Sequence, residues 1–369
     1  MQMVQAKWAV AAVLLCIWGC DSCHWPPASS LEESLRDVRA RAHKEAAERA
    51  KIPIPRAQPP QMAIDPLYFA ALMGQEEIIK LFSISQQDLD VNKQRWFGET
   101  LLHAAIEGRN FKVIEVLLAR GADPAIKNQK GDTGLHAAAR SGSLPVLVQI
   151  LEKLPPPKKK QLLTTPNAFG ETPLHLAVRS GMSDIINLLL QHGSVVTFHV
   201  INGGTVWHKA AEEGMVSSLR ALAAWDKTYV DVRNHHGHTP LHVAAAGGKV
   251  EAVAHLKSLG ADVQSRGPLG NTALHLACNN KQLAAASTLL QSGADPNVQN
   301  NDGQTPLHVA AQHGWVDLVT LLLQRQADPN VKDIHGNTPL DLAQKFHHKK
   351  TAAALHQASS DNAAKGSSP

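Results

Sequence analysis

Apolar residues come in paired short runs along most of this chain, separated by polar breaks that contain Gly. The first run of each pair is compact. A Leu stands two residues after a Thr (Leu102, Leu135, Leu174, Leu241, Leu274, Leu307), followed by small residues such as Ala104–Ala105, Ala137–Ala138 and Ala244–Ala245. The second run is bulkier, as in VIEVLLARGAD, IINLLLQHG, ASTLLQSGADPN and LVTLLLQRQADPN. The pairs predict a helix, a turn, an outer helix and a finger-like turn, repeated.

The boundaries carry start and stop signals. Thr172, Thr239, Thr305 and Thr338 can each cap a helix with the side-chain oxygen, and a Pro follows at the first helical position, where its missing N–H costs nothing. Nine residues after the Thr comes a Gly in most copies (Gly142, Gly181, Gly214, Gly248, Gly314), which suits a left-handed helix stop. The Thr residues fall at 100, 133, 172, 205, 239, 272, 305 and 338, in steps of 33, 39, 33, 34, 33, 33 and 33. The one long step contains the run PPPKKK, which reads as a solvated insertion. A fixed period near 33 means a stacked array rather than one globular core.

The strings GETPLHLAVRSG, GHTPLHVAAAGG, GNTALHLACNN and DGQTPLHVAAQHG, in one frame across residues 62–356, resemble the ankyrin repeat family. That resemblance implies an all-α solenoid of antiparallel helix pairs with β-hairpin-like fingers along one edge. It also implies that the motif His (His103, His136, His175, His208, His242, His275, His308) tethers neighbouring fingers by hydrogen bonds. Asp65 to Ala71 with Gly74 reads as an N-terminal cap unit, and Thr338-Pro339-Leu340-Asp341, which lacks the His, as a C-terminal one. About nine units result, two of them caps, with water-facing ends.

The ends differ. Lys7 precedes twelve apolar residues, Trp8 to Gly19, too few to span a bilayer comfortably but laid out as an export signal. The stretch ends in IWGC, similar to a bacterial lipoprotein signal with Cys20 as the lipidated residue; Trp18 departs from that pattern. The expected domains are a signal peptide at 1–19, a charged helix and Pro-rich linker at 20–61, the array at 62–356 and a disordered tail at 357–369. Cys16, Cys20 and Cys23 lie outside the array and Cys278 alone lies within it, so a disulfide framework is excluded there.

Composition adds little. Lys plus Arg number 36 against 32 Asp plus Glu, a net charge of +4, too slight to argue for nucleic acid. Of the 20 His, seven belong to the motif. His235, His236 and His238 share a finger tip without Cys, Asp or Glu to complete a metal site, and Cys278 stands where other copies have a core Ala or Val. No Gly-rich phosphate loop, nucleophile elbow or carboxylate pair is present, so no cofactor, metal or catalytic residue is expected.

Such arrays bind proteins through the positions free of core duty. The finger candidates are Arg95, Trp96, Phe97, Lys130, Phe169 and His235; the inner-helix candidates are Glu107, Arg140, Arg179, Glu212, Glu213, Gln312 and His313. Trp96 and Phe97 can either anchor a partner or pack against the cap unit. The expected function is a non-enzymatic, monomeric protein-binding scaffold with an unidentified protein partner. It would be exported, either anchored in the cell envelope through lipidated Cys20 or periplasmic or secreted. The alternatives are an effector of an intracellular bacterium acting on host proteins and, from another class, an envelope enzyme or enzyme-inhibitor component.

Overall fold

The computed structural model describes residues 65–77, 79, 90–196 and 203–365. The signal, charged helix and linker read in residues 1–61 lie outside the described residues, as does the end of the tail, 366–369.

Among the described residues there are eighteen α-helices and no strand. Nine are inner helices: Pro66–Leu72, Leu101–Glu107, Gly134–Ser141, Pro173–Arg179, Val206–Glu213, Pro240–Ala246, Ala273–Asn279, Pro306–Gln312 and Pro339–Lys345. They define layers one to nine. Layers two to nine add an outer helix: Phe111–Ala119, Leu144–Lys153, Ser183–Gln191, Val216–Asp226, Val250–Ser258, Leu283–Gln291, Val316–Gln324 and Lys349–Lys365. Each inner helix packs on the next inner helix, and each outer helix on the next outer one. The chain is therefore an all-helical solenoid. Its last helix runs through Lys365, into the segment expected to be disordered; the run TAAAL near its start is rich in the best helix former, Ala.

The motif folds by local bonding. In seven layers the Thr side chain accepts from the His backbone N–H, while the His Nδ1 lies 2.8–2.9 Å from the Thr Oγ1 and 3.1–3.3 Å from the Thr N–H. This is a capping box with His in the place usually held by Glu or Gln. The other ring nitrogen reaches the next layer. Nε2 lies 2.8–3.2 Å from the carbonyl of the residue just before the next Thr, at Asp132, Glu171, His238, Asn271, Gln304 and Asn337. The bonding assigns a neutral ring, with Nδ1 accepting and Nε2–H donating. Burial, the largest cause, pushes His136, His242 and His275 down to about 4.

The two ends solve the same problem without His. In layer one Asp65 caps the helix, and the Tyr68 hydroxyl donates to the Glu99 carboxylate, reaching the residue before Thr100 by another route. In layer nine Asp341 closes the capping box with Thr338 at 2.7–2.8 Å. No layer follows among the described residues, and Asp341 has no finger to tether.

Nine residues after the Thr the backbone is left-handed in every layer from two to nine. Gly fills the position in five of these layers, but Arg109, Lys281 and His347 hold it at φ 55°, 59° and 63°. A Cβ costs about 1–2 kcal/mol in that conformation. The Leu two residues after the Thr is fully buried in layers two to eight apart from layer five, where Trp207 fills the space at 1 % exposure. Small Ala residues beside it let adjacent inner helices come close.

The insertion is ordered rather than merely solvated. Pro156–Thr164 forms a helix that buries Leu162 and Leu163, and Lys158 pairs with Asp123 at 2.8 Å. The spacing between its Leu pair and its Pro start lets one helical turn face the array while the Lys run stays outside.

Candidate interaction surface

Each finger closes through one hydrogen bond, from the N–H five residues before the Thr to the carbonyl one residue before it, at 2.7–2.9 Å. One such bond makes a hairpin turn but no ladder. An Asn or Asp at that fifth position folds the tip: Asn128, Asn167, Asn234, Asn300 and Asp333 each accept two backbone N–H bonds at 2.8–3.0 Å. Arg95 and Gly267 occupy the position in the other two described fingers. There the tips turn through Phe97–Gly98 and Leu269–Gly270, four consecutive-pair residues all with positive φ. Tips also bond to each other, as Gln129 N–H to Phe97 O at 2.7 Å and Asn301 N–H to Leu269 O at 2.9 Å.

A second surface runs along the inner helices. Two positions per layer, the residue before the Thr and the residue eight after that one, stand beside each other and escape core duty. Layer three places Asp132 with Arg140, and layer four Glu171 with Arg179 at 3.3 Å. The Asp132 carboxylate is buried. Burial alone would raise its pKa, but the Arg140 charge and the hydrogen bonds of Arg140 and Asn167 hold it below the usual range. Layer two has like charges instead, Glu99 and Glu107; burial, then Glu99, raises the Glu107 carboxyl although the side chain keeps contact with water. In layer five Lys209 bridges Glu212 and Glu213 at 3.1 and 2.9 Å. Burial opposes its charge, and the two carboxylates more than offset that.

In layers seven and eight the same register is neutral. Layer seven has Asn271 and Asn279; layer eight has Gln304 and Gln312. With Asn300 and His313 these line a shallow groove of about 260 Å³. His313 lies 3.1 Å from the Asn279 amide oxygen and stacks on Trp315, over which Lys281 sits at 4.6 Å.

The sequence candidates are thus placed as follows. Phe97, Lys130, Phe169 and His235 are exposed at finger tips. Arg95 turns inward to an ion pair with Asp65, and Trp96 is half-buried against Tyr68 and Phe69 at ring distances of 5.9 and 6.0 Å. Arg140, Arg179, Glu212 and Glu213 belong to the ion pairs of the inner face, Glu107 to its like-charge pair, and Gln312 and His313 to the groove. Cys20 lies outside the described residues. Sequence reading passed over Lys209, Asp132 and Glu171; the signal was an acidic residue directly before the Thr with Arg eight residues later. Among the described residues no three His, Cys, Asp or Glu cluster as a metal site would require. Cys278 is fully buried and its thiol is pushed up to about 12, far from nucleophilic character.

Residues 67–161, 120–199, 207–300 and 274–365 match the family described as Ankyrin repeats (3 copies), and the chain belongs to that family. Similar proteins include Alpha-latrotoxin-Lh1a of Latrodectus hasselti, 33% identical over 140 residues, covering 38% of this chain and 10% of the toxin. The Nuclear factor NF-kappa-B p105 subunit of Gallus gallus is 30% identical over 173 residues, 47% of this chain and 17% of that protein. NF-kappa-B inhibitor alpha of Mus musculus is 33% identical over 147 residues, 38% of this chain and 46% of the inhibitor. In each case the match spans less than half of the relative.

Proposed function

We propose that this chain is a non-enzymatic protein-binding scaffold whose partner lies along the inner helices. One observation carries the reading: in layers two, three, four, seven and eight the same two inner positions hold polar side chains whose chemistry changes from layer to layer while the backbone repeats. Family membership supports it, and one relative is by its name an inhibitor of another protein. The test is capture of partners by the full chain, followed by mass spectrometry, for wild type and for Asn279→Arg/Gln312→Arg. A partner lost on this substitution, with thermal unfolding unchanged, supports the scaffold. Partners indifferent to every inner-face substitution overturn it.

The export reading rests on the sequence alone: Lys7, the apolar stretch to Gly19, and Cys20. In it the mature chain begins at a lipidated Cys20, and several acyl chains give stable anchoring where one gives only marginal binding. Cys20→Ser should abolish incorporation of a labelled fatty acid. Unchanged labelling and an unchanged mature N-terminus would leave an ordinary cleaved signal, or delivery of the array to a host cell, as the better account. Among the described residues no helix is long and apolar enough to cross a membrane.

A further inference from the structure

The finger row breaks local rules in a consistent way. Phe97 and Leu269 adopt left-handed conformations, at φ 54° and 57°, that favour Gly or Asn. Both expose their side chains, at 57 % and 66 %. Phe169 occupies the same tip position in another finger and Ile334 the one beside it, 59 % and 64 % exposed. These four bulky apolar groups bring no burial inside the fold, and at two of them the backbone is strained as well. A residue unfavourable on both counts points to a contact outside the chain.

The exposed charge around them is predominantly positive. Lys93, Lys127, Lys130, Arg233, Arg266 and Lys332 are all exposed on the fingers. Among the described residues within eight positions before a motif Thr, Asp302 is the one fully exposed carboxylate. Asp132, Glu171 and Asp333 are buried. Asp262, Asp295 and Asp328 stand further from the tips, each accepting an N–H of its own turn. Three of the cations are held in place by the fold. Lys127 donates to Pro166 O at 2.9 Å, Arg233 to Arg266 O at 2.8 Å and Arg266 to Gln299 O at 2.8 Å, so each fixes its charge beside the next finger.

We propose that the finger row is a peripheral docking surface for an anionic lipid membrane, with Phe97, Phe169, Leu269 and Ile334 entering the interface and the finger cations facing the headgroups. The spacing favours lipid over a protein. Lys130 separates Phe97 from Phe169, and Asp302 separates Leu269 from Ile334, so the tips form no contiguous apolar patch of the kind a protein hot spot uses. A lipid interface accepts isolated apolar side chains one at a time and adds the attraction of each nearby cation. The surface is separate from the inner-helix face and does not depend on lipidation of Cys20.

The test is flotation of the full chain with vesicles of phosphatidylcholine alone or mixed with phosphatidylglycerol. The N-terminal stretch is common to all variants, so the reading is the change in the anionic excess. Wild type should partition about tenfold better into the anionic vesicles, with the excess falling as salt rises. Phe97→Ser/Leu269→Ser/Ile334→Ser and, separately, Lys93→Gln/Lys130→Gln/Lys332→Gln should each remove most of it while circular dichroism melts stay within a few degrees of wild type. Equal partition of wild type into the two vesicle types overturns the proposal. So does an excess that survives both triple variants. Loss of protein-partner capture on inner-face substitution, with the vesicle excess intact, would separate this surface from the scaffold reading.

Discussion

Layers three and four and layers seven and eight present the same two inner positions on the same backbone, yet one pair of layers is charged and the other neutral. Asp132–Arg140 and Glu171–Arg179 stand where Asn271–Asn279 and Gln304–Gln312 stand farther along. The comparison teaches that the repeat fixes geometry through the cap, the His tether and the buried Leu, and leaves these positions to chemistry. A surface built this way can change specificity layer by layer without changing its frame.

The largest expected effects test the shared frame. Leu174→Ala and Leu307→Ala, one in each region, should each cost about 2–5 kcal/mol, from lost burial and the cavity left behind. Urea unfolding measures both. A large difference between them would mean that the frame itself, and not only its surface, differs between the regions.

Removing Arg140 leaves the buried Asp132 carboxylate without its main counter-charge. Arg140→Ala should cost about 2–4 kcal/mol, somewhat below a fully buried pair because the Arg is partly hydrated. Gln312→Ala, the matching change in layer eight, should stay within about 0.5 kcal/mol. Similar costs for the two would erase the contrast between charged and neutral regions.

Acid separates the regions in a second way. Burial lowers the folded pKa of His103, His136, His242, His275 and His308 below the ordinary 6.5, to about 4 for His136, His242 and His275. The unfolded chain therefore binds more protons between those values. Stability is fully present above about pH 6.5 and falls as pH drops toward 4, in both regions, by on the order of 2–4 kcal/mol for each of the three tethers at about 4. Asp132 in layer three has a lowered folded pKa, so its contribution is present above the unfolded value of 3.8 and is lost only below it. Hydrogen exchange followed from pH 7 to 3 should show the common loss first and a further loss in layer three below the unfolded Asp value. A flat response between pH 6.5 and 4 would contradict the neutral-His assignment.

Layer five joins the two regions, and exchange should be faster at residues 203–233 than in the flanking layers. Trp207 fills the Leu site, but its buried indole N–H has no hydrogen-bond partner, and the outer helix ends in a 3-10 turn rather than at a Gly. Uniform protection across residues 170–265 would count against this. The smallest effect is a gain: His347→Gly, at φ 63° and exposed, should stabilise by about 0.5–1 kcal/mol, less the extra freedom given to the unfolded chain.

The sequence by itself determined the period, the nine layers, the Thr caps, the buried Leu and the left-handed stops marked by Gly, because each is a matter of bonding within a few residues. The resemblance supplied the His tether as well, and the tether spans one period. Only the tertiary structure decided which polar residues serve the fold and which remain on its surface. Arg95 and Trp96 read as finger candidates in sequence and instead close the first layer on Asp65, Tyr68 and Phe69. Arg109, Lys281 and His347 take, at the helix stop, the left-handed conformation that the other layers give to Gly. These outcomes depend on what the neighbouring layer presents some 30 residues away, and a local pattern of apolar and polar residues does not encode that distance.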